Sequence, residues 1–462
     1  MQENKHIFTK TILKEYDIRG IVNKDLNEVD AYFIGRGYGT LLRREYQRTS
    51  CIVGYDGRHT SPLYSENLIK GLADTGIAVT NIGLVSTPMV YFAVQFLKKD
   101  AGIIVTASHN PSDYNGFKML TNEEPIWGDD IQKIGTYAEN GDFESGNGTI
   151  KNLSVNKDYY DFIWRNLKNN RNKHLKIAWD AGNGAVASVL KDIVSKFPDE
   201  SITICDVVDG NFPNHHPDPA VEKNMTMLKN AVLKNNCDFG VGFDGDGDRV
   251  GIIDDKGNFV YGDQLLAILA REFLKDNPGE KVMSEVKASK VLYDDIAKHG
   301  GIPIMWKPGH SAQKAKMKSD NIKLAGETSG HMFYGDNYNY DDAMYAAVKL
   351  MNFMSNTDTK ISDIISSFPK TYSTKEVRVE VGDERKFEII GEIANRMRAE
   401  NRNFIDIDGI RTELGNGWWL ARASNTQPDI TTRCEALSES SLEKCKKDLS
   451  EQLNLSGVKV EI

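Results

Sequence analysis

One pattern constrains this chain more than any other: a β-branched strand runs into a polar or glycine-rich turn, a helical pattern follows, and a second apolar strand closes the unit. It occurs in "CIVGYDGRHTSPLYSENLIKGLADTG" from Cys51, "LKIAWDAGNGAVASVLKDIVSKF" from Leu175 and "EKVMSEVKASKVLYDDIAKHG" from Glu280. The closing strands are "IAVTNIGL", "ESITICDVV" and "GIPIMWK". Strand, crossover helix and strand make a βαβ unit, so each segment predicts a mainly parallel sheet with helices on its faces. The pairs Tyr55–Asp56 and Trp179–Asp180 fall at equivalent places in the first two units, the mark of a degenerate internal repeat. A chain of 462 residues has room for three or four domains of ordinary size.

The tail follows a different plan. "EVRVEV" puts Val377, Val379 and Val381 on one face at period two, and the helical "KFEIIGEIANRMRAE" follows. Then come the strand-like runs "FIDIDGIRTEL", "GWWLARAS" and "DITTRCEAL", and a closing charged helix from about Ser440. That order predicts a small α+β domain. The best joints are "ENGDFESGNGT", the turn "DDKGN" at 254–258, and Pro369. The expected fold class is therefore α/β: three related mixed-sheet domains at 1–152, 153–256 and 257–369 with helices on both sheet faces, and an α+β domain at 370–462.

Composition removes several function classes. Hydrophobic residues at 40% and charged residues at 27% suit a globular chain, and no apolar run reaches the roughly 18 residues of a membrane span. No apolar leader opens the sequence, so a cytoplasmic location is expected. A net charge of −9 gives no general attraction to nucleic acid or to an anionic membrane. Cys51, Cys205, Cys237, Cys434 and Cys445 are odd in number and widely spaced, which predicts reduced structural thiols.

Four polar stations interrupt the apolar framework. In "VTASHNP", Ser108 sits at the end of a buried-looking strand before Pro111. In "GFDGDGDRVGIID", Asp244, Asp246 and Asp248 alternate with glycine; three carboxylates this close repel one another unless a hard cation such as Mg²⁺ holds them. An EF-hand is excluded, because Arg249 stands at the sixth loop position, where glycine is needed. In "GETSGHMFY", Glu327, Ser329 and His331 alternate; an extended loop would turn them the same way, as a sugar-binding patch requires. In "RASNTQP", Arg422 offers a planar fork while Ser424, Asn425 and Thr426 add further donors, a set suited to phosphate. Each station also reads as an ordinary polar turn when taken alone.

Ser108 discriminates among chemistries. "TASHN" lacks the G-x-S-x-G of an acyl hydrolase, and in an extended chain His109 points away from Ser108 and cannot serve as its base. A serine at the carboxyl edge of a sheet strand, with an aspartate cluster available for a metal, fits a phosphoryl carrier; a structural serine capping the turn is the other reading.

In this order and spacing, "TASHNP", "DGDGDR", "GETSGH" and "RASNTQP" resemble the four signature loops of the α-D-phosphohexomutase superfamily, and most closely its bacterial phosphomannomutase/phosphoglucomutase group. The resemblance runs from "EYDIRG" to the tail loop. It implies four domains around a central cleft, one loop from each. It implies phosphoserine at Ser108, Mg²⁺ on Asp244, Asp246, Asp248 and the Ser108 phosphoryl group, and sugar contacts from Glu327, Ser329, His310, Lys287 and Lys307. Arg422, Ser424, Asn425 and Thr426 would hold the non-reacting phosphate, and Arg19, Lys118, Arg249 and His331 become catalytic, with Lys118 and His331 as proton movers. The implied reaction is reversible exchange of hexose 6-phosphate and hexose 1-phosphate, mannose or glucose, through a 1,6-bisphosphate that also serves as activator. The implied partner is a small hexose phosphate, with no nucleic acid or membrane, acting on a monomer or weak homo-oligomer. Gln427, where "SNTEP" has an acid, blurs the subgroup, and Asn425 in place of the glycine of "SGTEP" leans away from phosphoglucosamine mutase. A metal-dependent sugar phosphatase and a silent sugar-phosphate receptor are the competing readings.

Overall fold

The computed structural model describes residues 5–122, 124–424 and 428–460. Its three βαβ units form where the sequence puts them: the strands Ser50–Tyr55, Lys176–Asp180 and Lys281–Glu285 each pair in parallel with the strand that closes the unit. The sheets are mixed, as the expected fold class has them. In each, the first strand of the unit also pairs in parallel with a third strand, which then opens an antiparallel hairpin, and a further antiparallel strand follows.

This shared topology positions the site. The third strands are Ala101–Val105, Phe239–Phe243 and Leu324–Gly326, and their hairpin partners begin at Tyr114, Val250 and Met332. Three of the four polar stations are therefore the same hairpin loop of three sheets. The expected joint at 254–258 is instead a hairpin turn: Ile252 and Ile253 pair with Val260 and Phe259, so the second sheet runs past 256.

The first sheet explains why its strands read as unbroken apolar runs. Cys51, Val53, Ile103 and Val105 enter one core and Ile52 and Ile104 another, so both faces are covered. The second of these cores continues through Tyr159, Leu266 and Met351, joining the first three domains into one body. The tail keeps a separate core around Ile393, Trp419 and Leu449. Its strands Ile410–Leu414, Gly417–Ala423 and Asp429–Ala436 fall where the sequence puts strand-like runs, and they pair antiparallel. Contact with the third domain centres on Arg411, which donates to the carbonyls of Val286 and Ala288 and lies 3.7 Å from the Trp418 ring.

A buried ion pair tethers the loop leading toward the aspartates. His215 Nε2 lies 2.9 Å from Asp180 Oδ2, and Nδ1 lies 3.0 Å from the His216 carbonyl, so both ring nitrogens face acceptors. Burial opposes the charge, but Asp180 and Cys205 outweigh it and carry His215 to about 10. A raised folded-state pKa stabilises fully below the unfolded value near 6.5 and is lost as pH climbs toward 10. The stability difference between the parent and His215→Asn is thus expected to be largest near pH 6, roughly 3 kcal/mol, and to shrink toward pH 10. Urea melts across that range measure it; a pH-independent difference would contradict the assignment.

Candidate active site

Ser108 is 1% exposed and has a left-handed φ of 51°, a conformation that costs a non-glycine residue about 1–3 kcal/mol. Its Oγ donates to Asp244 Oδ2 at 2.7 Å. Gly245 makes the approach possible, since a Cβ there would stand 2.3 Å from the Ser108 carbonyl oxygen. The turned backbone also brings His109 back: Nδ1 lies 3.2 Å from Ser108 Oγ. The expectation that His109 points away is therefore wrong, because it assumed an extended chain where φ is positive. Burial first, then Arg249, Arg19 and Lys118, depress the His109 pKa well below its usual value, so the ring is neutral.

Asp244, Asp246 and Asp248 are fully buried. Asp244 Oδ1 accepts the backbone amides of Gly247, Asp248 and Arg249, which ties the loop into a tight turn. Asp246 Oδ2 accepts from Thr87 Oγ1 at 2.6 Å and from Lys118 Nζ at 2.7 Å, and Lys118 also reaches Asp248 Oδ2 at 2.5 Å. Oδ1 of Asp246, by contrast, has no hydrogen-bond partner among the described residues. The three carboxylates each offer an oxygen within 4.8 Å of the others. Burial and then the charges of Asp246 and Asp248 push Asp244 well above the carboxylate range. Burial also opposes ionisation of Asp248, but Lys118 and His331 hold it well below that range. An all-oxygen set with an unpartnered buried oxygen fits a hard divalent cation.

The third loop closes over this cluster. Glu327, Ser329 and His331 converge as expected, but through a tight turn and not through extended alternation: Gly330 N donates to the Glu327 carbonyl, and Gly330 has φ 94°. His331 Nδ1 lies 3.0 Å from Glu327 Oε2 and 2.9 Å from Ser329 Oγ, while Nε2 lies 3.2 Å from Asp248 Oδ1. Burial opposes its charge, but Asp248 and Glu327 raise His331 to about 9, so the ring is an imidazolium at neutral pH. Glu327 Oε1 accepts the Gly309 amide, which brings His310 in; its ring centre is 5.7 Å from that of His331. Arg249 Nη1 sits 3.8 Å from Asp218 Oδ1 and 3.5 Å from His109 Nε2. Arg19 donates from Nη1 to Asn110 Oδ1 at 2.5 Å and from Nε to Asp17 at 2.8 Å.

The remaining expected site residues make other contacts. Lys287 is 3.5 Å from Glu285 Oε2, and its carbonyl accepts from Arg433 of the tail domain. Lys307 is exposed and meets its neighbours through its carbonyl, which accepts from Gln313. Arg422, next to last in the buried strand Gly417–Ala423, donates from Nε to Asp408 Oδ2 at 2.6 Å; Ser424 donates its amide to the Asp429 carbonyl. Asn425, Thr426 and Gln427 lie outside the described residues.

The comparisons with known proteins follow the same four-part division. Residues 10–145, 157–257, 261–372 and 376–452 match, in turn, the family descriptions "Phosphoglucomutase/phosphomannomutase, alpha/beta/alpha domain" I, II and III and "C-terminal domain". The chain belongs to the phosphoglucomutase/phosphomannomutase family. This mutase is 40% identical over 446 residues to "Phosphomannomutase/phosphoglucomutase" of Pseudomonas putida, covering 96% of this chain and 95% of the relative. It is 37% identical to "Phosphoglucomutase" of Neisseria gonorrhoeae, covering 94% and 95%. A crystal structure of a phosphoglucomutase/phosphomannomutase family protein from Burkholderia thailandensis superposes with a TM-score of 0.93 at 33% identity, covering 99% of this chain and all of that one. The N-acetylglucosamine-phosphate mutases are 12–14% identical and share the fold alone.

Several residues that support the candidate site escaped the sequence reading. Thr87 opens the helix Thr87–Phe96 of the first domain, yet its side chain and amide both bond Asp246 of the second. Arg58 and Asp408 escaped too, since each acts through a contact with another loop. "YDGRHT" carried a signal for Arg58, but only as a repeat landmark. Nothing local marked Thr87.

Proposed function

We propose that this phosphohexomutase carries its phosphoryl group on Ser108 and exchanges it between O1 and O6 of a hexose, glucose or mannose. The observation that carries the reading is Ser108 Oγ at 2.7 Å from Asp244, inside a buried three-aspartate loop. Asp244, Asp246 and Asp248 would hold Mg²⁺, which supplies charge neutralisation at the transferring phosphoryl oxygens. In transfer, the bond between Ser108 Oγ and phosphorus breaks as a sugar hydroxyl oxygen bonds to the same phosphorus; the hydroxyl loses its proton and Ser108 Oγ gains one. Three side chains are placed to carry these protons: Lys118 and His331, both bonded to the aspartates, and His109 beside Ser108 Oγ. The bisphosphate then turns over and returns its other phosphate to Ser108, and the same bisphosphate supplied from solution acts as activator.

Glu327, Ser329, His310, Lys287 and Lys307 are assigned to the sugar, with Arg19 and Arg249 flanking the phosphoserine loop. Arg422, Ser424, Asn425 and Thr426 are assigned to the non-reacting phosphate, with Asp408 orienting Arg422. Arg422→Ala is expected to raise KM for hexose phosphate about tenfold to a hundredfold with a smaller loss in kcat, since it removes binding common to ground and transition states. An unchanged KM would make that loop a structural turn.

No helix among the described residues is long and apolar enough to cross a membrane, and we assign the enzyme to the cytoplasm as a monomer or weak homo-oligomer. Isomer formation without phosphate release tests the activity against a phosphatase or a silent receptor. Intact peptide mass, with Ser108 heavier by about 80 Da, one phosphoryl group, tests the carrier. Phosphate release without isomerisation would overturn the reading.

A further inference from the structure

Arg58 has a role that its place in the first repeat does not announce. It is 2% exposed, and its two terminal nitrogens donate to four backbone carbonyls of a single loop. Nη2 reaches Ser108 at 2.8 Å and Asn110 at 2.6 Å; Nη1 reaches Pro111 at 2.6 Å and Tyr114 at 3.0 Å. Both terminal nitrogens point into this backbone, so the side chain acts on the shape of the phosphoserine loop. A planar fork with fixed donor directions suits four carbonyls in one turn, as the rotating ammonium of lysine does not.

The other side of Ser108 is held through the partner of Arg58. Asp56 Oδ2 lies 3.3 Å from Arg58 Nε and accepts from Thr106 Oγ1 at 2.7 Å. Thr106 Oγ1 in turn accepts the Ser108 amide at 2.9 Å. The peptide groups before and after Ser108 are thus gripped by one ion pair, Asp56 through Thr106 on the amide side and Arg58 directly on the carbonyl side. Both backbone torsions of a residue in an unfavourable left-handed conformation are fixed by this pair. The second domain closes the arrangement: the Phe212 ring centre lies 5.2 Å from the Arg58 guanidinium carbon, and a Cβ on Gly210 would meet the Gly57 carbonyl at 2.9 Å.

We propose that Arg58 is the positioning residue that sets Ser108 for phosphoryl transfer, holding its backbone so that Oγ faces Asp244. The inference rests on Ser108 being the phosphoryl carrier. Relaxing the backbone would swing Oγ off the aspartates while leaving the sugar and distal-phosphate contacts of the other loops in place. The expected signature is a fall in kcat with KM preserved.

The test uses the full-length enzyme with Mg²⁺ and glucose 1,6-bisphosphate, comparing the parent with Arg58→Lys, Arg58→Met, Thr106→Val and Ser108→Ala. For folded Arg58→Met, kcat should fall about a hundredfold or more with KM within about threefold, the pattern of a misplaced reacting group. Arg58→Lys should recover only a small part, and Thr106→Val, which loosens the amide side alone, should lose roughly tenfold in kcat with KM unchanged. The rate at which bisphosphate phosphorylates Ser108 in a single turnover should fall in parallel. Parent-like kcat in a folded Arg58 variant, or a KM that rises as kcat falls, would overturn the proposal. If neither Arg58 variant folds, Thr106→Val decides, and an unchanged kcat there would overturn it. Inactive Ser108→Ala beside fully active Arg58 variants would reject the positioning role alone, whereas active Ser108→Ala would reject the carrier itself.

Discussion

Replacing Ser108 by alanine is expected to reduce turnover by about 10⁴-fold or more, and no concentration of glucose 1,6-bisphosphate should restore it. Removing a covalent nucleophile removes the route itself, in contrast to a lost binding contact that more substrate can overcome. Among the described residues, Ser108 Oγ is the one side-chain oxygen in the loop 105–111 that hydrogen-bonds an aspartate of the three-aspartate loop. The variant should remain folded, because the backbone grip from Arg58 and Thr106 does not use the hydroxyl. Parent enzyme stripped of its phosphate should behave differently: nearly inactive with hexose monophosphate alone, it should regain activity when bisphosphate is added. Steady-state assays on both proteins, with and without bisphosphate, separate the cases. Full activity of the stripped parent without bisphosphate would refute the shuttle, as would rescue of the alanine variant.

Asp246→Asn should be nearly as damaging, with kcat down at least about a hundredfold and Mg²⁺ affinity weakened by a similar factor. The structure sharpens the reason. Asp246 spends Oδ2 on Thr87 and Lys118 and leaves Oδ1 without a hydrogen-bond partner among the described residues. An amide cannot serve both sides, since one of its ends would present N–H groups to Lys118 or to the cation. Stability should change little, because losing the ion pair with Lys118 is offset by relief of repulsion from Asp248. Calorimetric Mg²⁺ titration beside a thermal melt measures both effects. Parent-like Mg²⁺ affinity and turnover in a variant that melts like the parent would remove the metal from this loop.

Local periodicity was enough to find the three βαβ units and the strand order of the tail, because burying one face leaves a period of 2 or 3.6 in the sequence itself. Spacing and residue type were enough to pick out four polar stations, because a run such as Asp244–Gly–Asp246–Gly–Asp248 concentrates charge that a solvated turn does not need. Which strands run antiparallel within each mixed sheet escaped, because direction is decided by which strand becomes a neighbour in space. Ala101–Val105 pairs in parallel on one side and antiparallel on the other, yet reads as one apolar run.

The support of the site belongs wholly to tertiary structure. Thr87 finds Asp246 across 159 residues, Lys118 finds it across 128, and Arg249 and His331 meet as bridge partners of two separate sheets. His109 shows the limit most clearly: read as extended, it leaves Ser108, but the positive φ at Ser108 returns its ring to the hydroxyl. No property of "TASHN" predicts that torsion. It persists because Arg58, fifty residues earlier, and Asp56 through Thr106 grip the peptide groups on either side, so the conformation belongs to their packing and not to the loop's own preference.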